Sequence, residues 1–243
     1  CFWLNGGKAQ KVMEERKGNP SVATIMAALN EAEGIGPTIE ELKSHLHDAP
    51  LLVIDGRSHD RTVEIAKDKG ATVLIQEGTG KGQALGQGIQ QLPSNVRYVV
   101  FTDADFTYPA EYIPKMIEIL DHDPNIGMVV GNRFDGGIKF KAVSADTFYA
   151  GNRFLAFAQH MVNGIKLKDP LSGLRVVRSE VLKGWKLKSR GFDVEAEMNY
   201  RVERKGYQIV EIPITYRTRL GEKKLKLRHG LIILKRIVSE SLA

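Results

Sequence analysis

The sequence has 243 residues, 42% hydrophobic and 26% charged, and this balance fits one globular α/β domain with at most a small appendage. A single cysteine, Cys1, excludes a disulfide framework within the chain and a cysteine metal site, which is compatible with a cytosolic enzyme. The net charge of +6 comes from one segment near the C-terminus, and no nucleic-acid motif accompanies it, so we expect no nucleic-acid partner.

The first half of the chain alternates short apolar runs with segments of helical spacing, after residues 1–20, which we treat as an N-terminal extension. The predicted strands lie at 22–27, 51–55, 71–76, 97–103 and 126–131. The predicted helices lie at 37–47, 60–69, 81–92 and 109–121. Strands that are apolar throughout and alternate with helices indicate a parallel sheet that is covered on both faces.

Polar residues stand at the carboxyl ends of three predicted strands: Asn30-Glu31, Asp55 and Asp103. In a parallel sheet, ligands bind beyond the carboxyl ends of the strands. We therefore expect these side chains to lie along one rim of the sheet.

The rhythm changes after Gly131. Predicted helices lie at 148–162, 193–205 and 231–242, and predicted strands at 174–177 and 208–216, where Pro213 indicates an edge strand or a bulge. No apolar run reaches the roughly 20 residues of a membrane helix, so we expect no membrane span.

The motif Asp103-Ala104-Asp105 closes the fourth predicted strand. Two carboxylates at this spacing can converge on one hard cation, and Mg²⁺ and Mn²⁺ take such ligands together with substrate phosphates. The small Ala104 leaves room for a ligand against the backbone. Two solvated turn acids are the other interpretation, and the residues alone leave both open.

A glycine-rich stretch, residues 78–82, precedes the third predicted helix. A helix N-terminus can bind phosphate, but the P-loop spacing is missing, and a flexible loop with a helix cap explains the stretch equally well. In the loop after the second strand, Asp60 is predicted to cap a helix, and Asp55 is the better candidate for contacting a base or a ribose.

Basic residues concentrate in Arg217–Arg236, which holds eight Lys or Arg and one acid, Glu222. We call Arg217–Arg236 the basic segment. A solvated tail and a surface for phosphates or anionic lipid both fit its composition. The helix predicted at 231–242 is expected to lie on a membrane or to pack on a partner protomer in a homo-oligomer.

Eight segments, taken in chain order, resemble those of family 2 glycosyltransferases with the GT-A fold. More narrowly, they resemble archaeal-type dolichol-phosphate or polyprenyl-phosphate mannosyl- and glucosyltransferases. The resemblance covers about residues 21–236 and rests on Ala28–Glu31, Val53–Thr62, Gly80–Gly82, Thr102–Asp105, Gly131–Arg133, Asp169–Arg175, Gly191–Glu197, and Glu211–Pro213 with Tyr216–Leu225.

The resemblance implies an α/β fold with a Rossmann-like, mostly parallel sheet flanked by helices and a C-terminal acceptor-side extension. The implied GT-A domain spans 21–228, with a nucleotide-sugar half at about 21–134 and an acceptor half at about 135–228. An amphipathic interface helix over 229–243 would follow.

The resemblance also implies roles for single residues. Asp103 and Asp105 would bind the donor's diphosphate through Mg²⁺ or Mn²⁺. The nucleotide-sugar pocket would further take Ala28, Leu29, Asn30, Glu31, Asp55, Lys81 and Ala104. The acceptor phosphate would meet Arg133, Arg175, Arg219 and Lys224. The candidate catalytic residues are Asp105, Arg133, Glu195 and Glu197, and Asp193 is a further acid near the acceptor.

Two positions depart from the family pattern. The run Asp55-Gly56-Arg57-Ser58 replaces the usual Asp-Asp-Gly-Ser, which leaves the recognised base open. Thr107 stands where the mannosyl enzymes often carry Gln, which leaves a third metal ligand and mannose specificity open.

The expected reaction is an inverting displacement on GDP-mannose or UDP-glucose. A phosphate monoester is already ionised near neutral pH, with a second pKa of about 6, so it needs cations more than a base. The basic segment therefore favours a polyprenyl (dolichyl) phosphate acceptor, used by a peripheral enzyme on the cytoplasmic face of the membrane.

Two alternatives remain. A soluble glycosyltransferase with a hydroxyl acceptor would need a general base, for which Glu195 and Glu197 are candidates. Both acids also suit a structural role, because negative charge in the first turn complements a helix dipole. The second alternative is a non-enzymatic nucleotide-sugar-binding domain.

Overall fold

The computed structural model describes residues 21–47, 49–135 and 143–242, with only the backbone for 143–148, so the predicted extension at 1–20 lies outside the described residues. The strands are β1 (Val22–Ala28), β2 (Leu51–Asp55), β3 (Thr72–Ile75), β4 (Tyr98–Asp103), β5 (Ile126–Asn132), β6 (Arg175–Arg178) and β7 (Gln208–Pro213). The helices are α1 (Ala32–Leu46), α2 (Thr62–Asp68), α3 (Lys81–Ile89), α4 (Ile113–His122), α5 (Val143–Asn163), α6 (Ser179–Leu182), α7 (Val194–Arg204) and α8 (Arg228–Ser241). A 3₁₀ turn, Ala110–Tyr112, leads into α4.

These described strands form one seven-stranded sheet in the order β3-β2-β1-β4-β6-β5-β7. Only β6 runs antiparallel to its neighbours, β4 and β5. The mostly parallel sheet is therefore confirmed. Strands from both predicted halves share it, because β6 lies between β4 and β5 and β7 pairs with β5.

Both faces of the sheet are buried. Alternate residues of each strand point to opposite faces, and on β2 Val53 joins one apolar cluster while Leu52 joins the other. Helices α1 and α4 cover the first face, and α3 and α7 cover the second. This arrangement explains why the strands are apolar throughout.

Helix α1 begins five residues before the predicted start and carries Pro37 inside it. Its start is held by side chains from the β2–α2 loop: Asp60 accepts a hydrogen bond from the Ala32 N–H, and Thr62 accepts one from the Glu31 N–H. Caps supplied from a distant segment leave no local sequence signal.

The prediction for Pro213 is confirmed, since β7 is an edge strand and ends at this residue. Helix α8 packs against α5 and α7 through Leu155, Ala196, Ile233 and Ile237. No helix in the described part of the chain is long and apolar enough to cross a membrane.

Candidate active site

A cavity of about 670 Å³ lies beyond the carboxyl ends of β1 and β4. The predicted rim is found there, since Glu31 follows β1, Asp103 ends β4, and both line the cavity. The charged residues that line it are Glu31, Lys81, Asp103, Asp105, Arg133, Glu195, Arg219, Lys223, Lys224 and Lys226. The cavity therefore gathers four acids and six cations at one edge of the sheet.

The Asp103-Ala104-Asp105 loop is held in a fixed shape. Oδ1 of Asp105 accepts hydrogen bonds from the N–H of Thr107 at 3.1 Å and from its hydroxyl at 2.6 Å. Phe106, between them, adopts the left-handed backbone region with φ 63°. Thr107, the departure from the family pattern, thus orients Asp105 in this structure.

Two glycines let other segments approach this loop closely. A Cβ atom at Gly34 would lie 2.6 Å from Cα of Asp105, and one at Gly173 would lie 2.7 Å from Oδ2 of Asp103. Contacts below about 3 Å would displace the loop. A side chain at either glycine would therefore disturb the acidic pair.

Lys81 links two of the cavity acids. Its Nζ atom lies 2.6 Å from Oδ1 of Asp103 and 2.7 Å from Oε1 of Glu195. Burial alone would lower the pKa of Lys81, but the two carboxylates outweigh burial and raise it. Lys81 is therefore held as a cation at the acidic pair.

The glycines around Lys81 serve close packing in this structure. Cβ atoms at Gly80 and Gly82 would lie 2.4 Å from the backbone oxygens of Arg190 and Ser189, respectively. The start of α3 is thereby pressed against the 189–190 loop, which positions the Lys81 side chain toward Asp103. Close packing thus accounts for two of the three glycines.

The first part of the basic segment crosses the acidic loop. The N–H of Leu220 donates to the Asp105 carbonyl at 3.1 Å, and Arg217 pairs with Glu41 of α1 through two bonds of 2.6 and 2.7 Å. Arg219 forms ion pairs with both Asp105 and Glu31. A segment far along the chain thus completes the site.

Lys224 adds a second cation at Glu31, with Nζ 2.8 Å from Oε1. The other carboxylate oxygen of Glu31, Oε2, is buried and has no hydrogen-bond partner among the described residues. Burial raises the pKa of Glu31 above its ordinary value despite these cations. One oxygen of this carboxylate is therefore buried without a hydrogen bond.

The two acids of the motif differ electrostatically. Burial would raise the pKa of Asp103, but the charges of Lys81, Arg219 and Arg133 hold it below its ordinary value. Burial and the charge of Asp103 raise the pKa of Asp105. Two ionised carboxylates in this position would gain from a further cation.

The residues fit a hard divalent cation that shares its ligands with a diphosphate. Both Asp103 and Asp105 line the cavity, and oxygen donors of this kind suit Mg²⁺ and Mn²⁺. In the described part of the chain, no cluster of three or more His, Cys, Asp or Glu could hold a metal. Such a cation would therefore depend on oxygens from its bound partner.

Arg133 lines the cavity, and Asp169 fixes its orientation. The guanidinium donates through Nε and Nη2 to the two oxygens of Asp169, each at 2.7 Å, and stacks 5.4 Å from the ring centre of Tyr216. The paired orientation leaves Arg133 lining the cavity as a preorganised cation.

Five residues predicted at or near the site do not line the cavity: Asn30, Asp55, Arg175, Asp193 and Glu197. Asp55 is buried and accepts from the N–H and hydroxyl of Ser58 at 2.9 and 2.5 Å, so its carboxylate organises the loop. The Asn30 amide oxygen accepts from the His59 N–H at 2.8 Å in the same loop. The β2–α2 loop therefore uses both side chains for its own hydrogen bonds.

Arg175, expected at the acceptor phosphate, is 1% exposed. Its guanidinium donates to the backbone oxygens of Ser172, Pro170 and Glu195 and to the side chain of Asn199. These four acceptors hold the guanidinium in the protein interior, away from the cavity lining. The expectation is corrected: Arg175 is a buried structural cation.

Glu197, expected to be catalytic, does not line the cavity. Its carboxylate accepts from the N–H groups of Lys188 and Ser189 at 2.8 and 2.6 Å and from the indole of Trp185 at 3.2 Å. Glu195, two residues earlier, does reach the cavity. Asp193 pairs with Arg236 of α8 at 3.0 Å.

Sequence reasoning missed the aromatic and apolar part of the cavity. Tyr108 and Tyr216 pack edge to face with ring centres 5.1 Å apart, and Tyr108 accepts the Gly173 N–H at 2.8 Å. Tyr108 lies three residues after Asp105 in the sequence, so its position near the acidic pair could have been predicted. Other apolar members are Leu171 and Phe192, which lie in two of the family-like segments, and Leu155, Leu227 and Ile233, which lie outside the motifs singled out from the sequence as lining the donor or acceptor site.

Comparisons with known proteins identify the family of the chain. Residues 23–185 match the sequence model of Glycosyl transferase family 2. The dolichyl-phosphate hexose transferase of Haloferax volcanii is 34% identical over 212 residues, which cover 84% of this chain and 86% of that protein. The dolichol-phosphate mannosyltransferase of Pyrococcus furiosus is 32% identical over 84% of this chain and 59% of its own length.

Other curated relatives are longer. The low-salt glycan biosynthesis hexosyltransferase Agl6 of Haloferax volcanii is 31% identical over 85% of this chain, and the match spans only 50% of that protein. The chain thus covers between half and nearly all of the curated relatives described here.

A solved structure shares the fold. Glucosyl-3-phosphoglycerate synthase from Mycobacterium tuberculosis, solved with Mn²⁺, uridine diphosphate and phosphoglyceric acid, superposes with a TM-score of 0.72 at 21% identity. The likeness covers 99% of this chain and 84% of that one. The expected GT-A fold is confirmed.

Proposed function

The chain belongs to glycosyl transferase family 2, and from that premise we propose that it is a hexosyltransferase that moves a hexose from a nucleotide sugar to a polyprenyl phosphate. One observation carries this proposal. A single cavity joins the acidic pair Asp103 and Asp105, several cations, and an apolar arm lined by Leu155, Leu171, Phe192 and Ile233. The acidic pair suits the metal-bound diphosphate of the donor, the cations suit the acceptor phosphate, and the apolar arm suits the isoprenoid chain.

At the donor end, Asp103 and Asp105 would hold Mg²⁺ or Mn²⁺ against the diphosphate. The cation, when bound, would supply positive charge for the oxygen that leaves the anomeric carbon. Ala28, Leu29 and Gly56 line the adjoining part of the cavity, where the nucleoside would lie. The donor is a nucleoside diphosphate-hexose such as GDP-mannose or UDP-glucose.

At the acceptor end, Arg133 would bind the phosphate, with Arg219 and Lys224 beside the donor's leaving group. A phosphate oxygen attacks the anomeric carbon while the bond from that carbon to the diphosphate oxygen breaks, which inverts the anomeric centre. An ionised phosphate monoester brings its own nucleophile, so no proton needs to be removed.

The two candidate bases support this assignment. Glu195 is ion-paired with Lys81 at 2.7 Å, and three donors satisfy Glu197. Neither carboxylate is placed as an unengaged base over the cavity. The arrangement therefore suits an anionic acceptor better than a hydroxyl.

A lipid acceptor requires contact with a membrane, and we assign this contact to α8 together with α5, at the cytoplasmic face. Leu231, Val238 and Leu242 are 74, 44 and 85% exposed and follow one stripe of α8 with Lys235. An exposed apolar stripe with basic neighbours is typical of helices that lie on anionic lipid.

Transfer by the purified chain tests the proposal. Radiolabelled GDP-mannose or UDP-glucose is supplied with Mn²⁺ and a polyprenyl phosphate in detergent, and label is counted in the organic phase. We expect a hexosyl lipid phosphate that does not form when EDTA is present. Transfer only to sugar hydroxyls would contradict the acceptor assignment, and binding of nucleotide sugar without any transfer would contradict the enzyme.

A further inference from the structure

Three neighbouring parallel strands end at the part of the cavity where we place the nucleoside. Ala28 is the last residue of β1, Gly56 follows β2, and Gln76 follows β3, and all three line the cavity. Leu29, the residue after β1, lines it as well. We call Ala28, Leu29, Gly56 and Gln76 the strand-end corner. Within this corner, the polar side chain is that of Gln76.

The amide of Gln76 has a fixed orientation. Its Nε2 atom donates a hydrogen bond to the Gly80 carbonyl at 2.8 Å, and because a carbonyl only accepts, the amide nitrogen is the atom on that side. The residue is only 3% exposed, yet it lines the cavity. In the part of the chain that the structure describes, no donor contacts the other amide atom, Oε1. Gln76 therefore offers one oriented acceptor that the protein itself does not use.

Gly56 keeps this oxygen uncovered. A Cβ atom at Gly56 would lie 3.3 Å from Oε1 of Gln76 and 3.4 Å from both the Ala28 carbonyl oxygen and the Leu29 side chain. The backbone does not require glycine here, because the φ of Gly56 is not positive. The absence of a side chain at Gly56 therefore leaves room in front of Oε1.

Neighbouring acceptors are used by the protein itself. The Ala28 carbonyl accepts the Gly56 N–H at 2.8 Å. The Asp55 carboxylate accepts the N–H and the hydroxyl of Ser58 at 2.9 and 2.5 Å. Because a buried acceptor without a partner costs free energy, Oε1 of Gln76 is the atom of this region that gains most from a ligand with an N–H group.

We propose that Oε1 of Gln76 selects the base of the sugar donor by accepting a hydrogen bond from a ring N–H group. Guanine at N1 and uracil at N3 carry such a hydrogen, whereas adenine and cytosine carry a lone pair at the equivalent ring nitrogen. An acceptor that faces a lone pair is repelled and stays unsatisfied. The inference rests on the proposed function and deepens it, because it names the class of base and the side chain that reads it.

The amino groups of adenine and cytosine would reach Oε1 only if the base moved. The proposed function holds the diphosphate at Asp103 and Asp105, so a displaced base would strain the link between the two sites. Ala28 and Leu29 offer apolar contact to any base and carry no polar side chain. Discrimination between bases therefore depends on Gln76.

Binding of nucleoside diphosphates tests this assignment. Dissociation constants are measured by calorimetry in the presence of Mn²⁺ for two matched pairs, UDP with CDP and GDP with ADP. The members of each pair share a ring system and a charge but differ in the ring N–H. We expect the unaltered protein to bind the N–H member of at least one pair about tenfold more tightly or better, since an unpaired buried acceptor costs that much.

Two variants should remove this preference by different routes. Gln76→Met keeps the length of the side chain but removes the acceptor, and Gly56→Ala keeps Gln76 but places a methyl group against Oε1. Both should bring the two dissociation constants of a pair close together. The matched control is Gln87→Met on α3, which loses hydrogen bonds to the Glu77 N–H and the Ile75 carbonyl. Gln87 does not line the cavity, so this variant should keep the original preference.

Equal affinities within both pairs for the unaltered protein, or a preference for CDP and ADP, would overturn the assignment to Gln76. An unchanged preference in both variants would overturn it too, and so would an equal loss of preference in Gln87→Met. Absence of binding of every nucleoside diphosphate to the folded, unaltered protein would instead overturn the proposed function. Thermal unfolding verifies that each variant is folded.

Discussion

The ammonium nitrogen of Lys81 lies 2.6 Å from Oδ1 of Asp103. The same nitrogen lies 2.7 Å from Oε1 of Glu195, so one side chain joins the start of α3, the end of β4 and the first turn of α7. Acid and cation are therefore already paired at the edge of the cavity.

Replacing Lys81 by Met should lower the free energy of unfolding by about 2–3 kcal/mol, because two poorly solvated carboxylates lose their counter-ion. Urea unfolding measures the change. Lys67→Met, at an exposed position of α2, is the control and should be neutral. Equal stability of the two variants would show that the Lys81 pairs contribute nothing.

Asp103→Asn and Asp105→Asn should each lower kcat at least about 100-fold, since the divalent cation would lose half of its protein ligands. The Mn²⁺-dependent rise in Tm with a nucleoside diphosphate should disappear as well. Asp68→Asn, exposed on α2, is the matched control. Retention of the Mn²⁺ effect in both cavity variants would place the metal elsewhere.

Glu41 should make stability depend on acid pH. Partial burial would raise its pKa, but the hydrogen bonds from Arg217 hold the pKa below the ordinary value of 4.5. Its contribution is therefore present above about pH 4.5 and is lost as pH falls through the folded-state pKa.

Urea unfolding between pH 3 and pH 7 checks this dependence. Glu41→Gln should cost about 1 kcal/mol at pH 7, because a two-bond pair is lost, and should flatten the acid side of the profile. Parallel profiles for the variant and the original protein would refute the assignment to Glu41.

Glu197→Gln should lower stability by about 1–3 kcal/mol, because an amide N–H₂ would face the backbone N–H groups that Glu197 now accepts. Turnover per folded molecule should change little, since Glu197 does not line the cavity. Kinetics on protein quantified by folded fraction separates the two effects. A loss of kcat in fully folded protein would restore Glu197 as a catalytic candidate.

Membrane binding should depend on the exposed stripes. Phe157→Glu on α5 and Val238→Glu on α8 should each weaken flotation with phosphatidylglycerol vesicles, because a charge would enter the apolar face. Gln90→Glu, exposed at the end of α3, adds the same charge elsewhere and should not. If flotation is unaffected and a dimer dissociates instead, the face binds a second copy of the chain.

The apolar runs of the sequence were sufficient to predict the strands of the sheet, because a strand that is buried on both faces is apolar at successive positions. They also predicted the shared rim, since parallel strands end at the same edge. The antiparallel β6 was not predicted, because its orientation depends on how the chain returns after residues 143–163.

The motif residues also fall into two groups, those whose place was predicted from sequence and those whose place was not. The sequence alone determined the acidic pair Asp103 and Asp105 and its place at a strand end, because a local pattern records local geometry. Only the tertiary structure shows that Arg219, 114 residues later, pairs with Asp105 and that Arg175 is buried. Which cation meets which acid is decided by packing between distant segments, and a linear sequence does not record that contact.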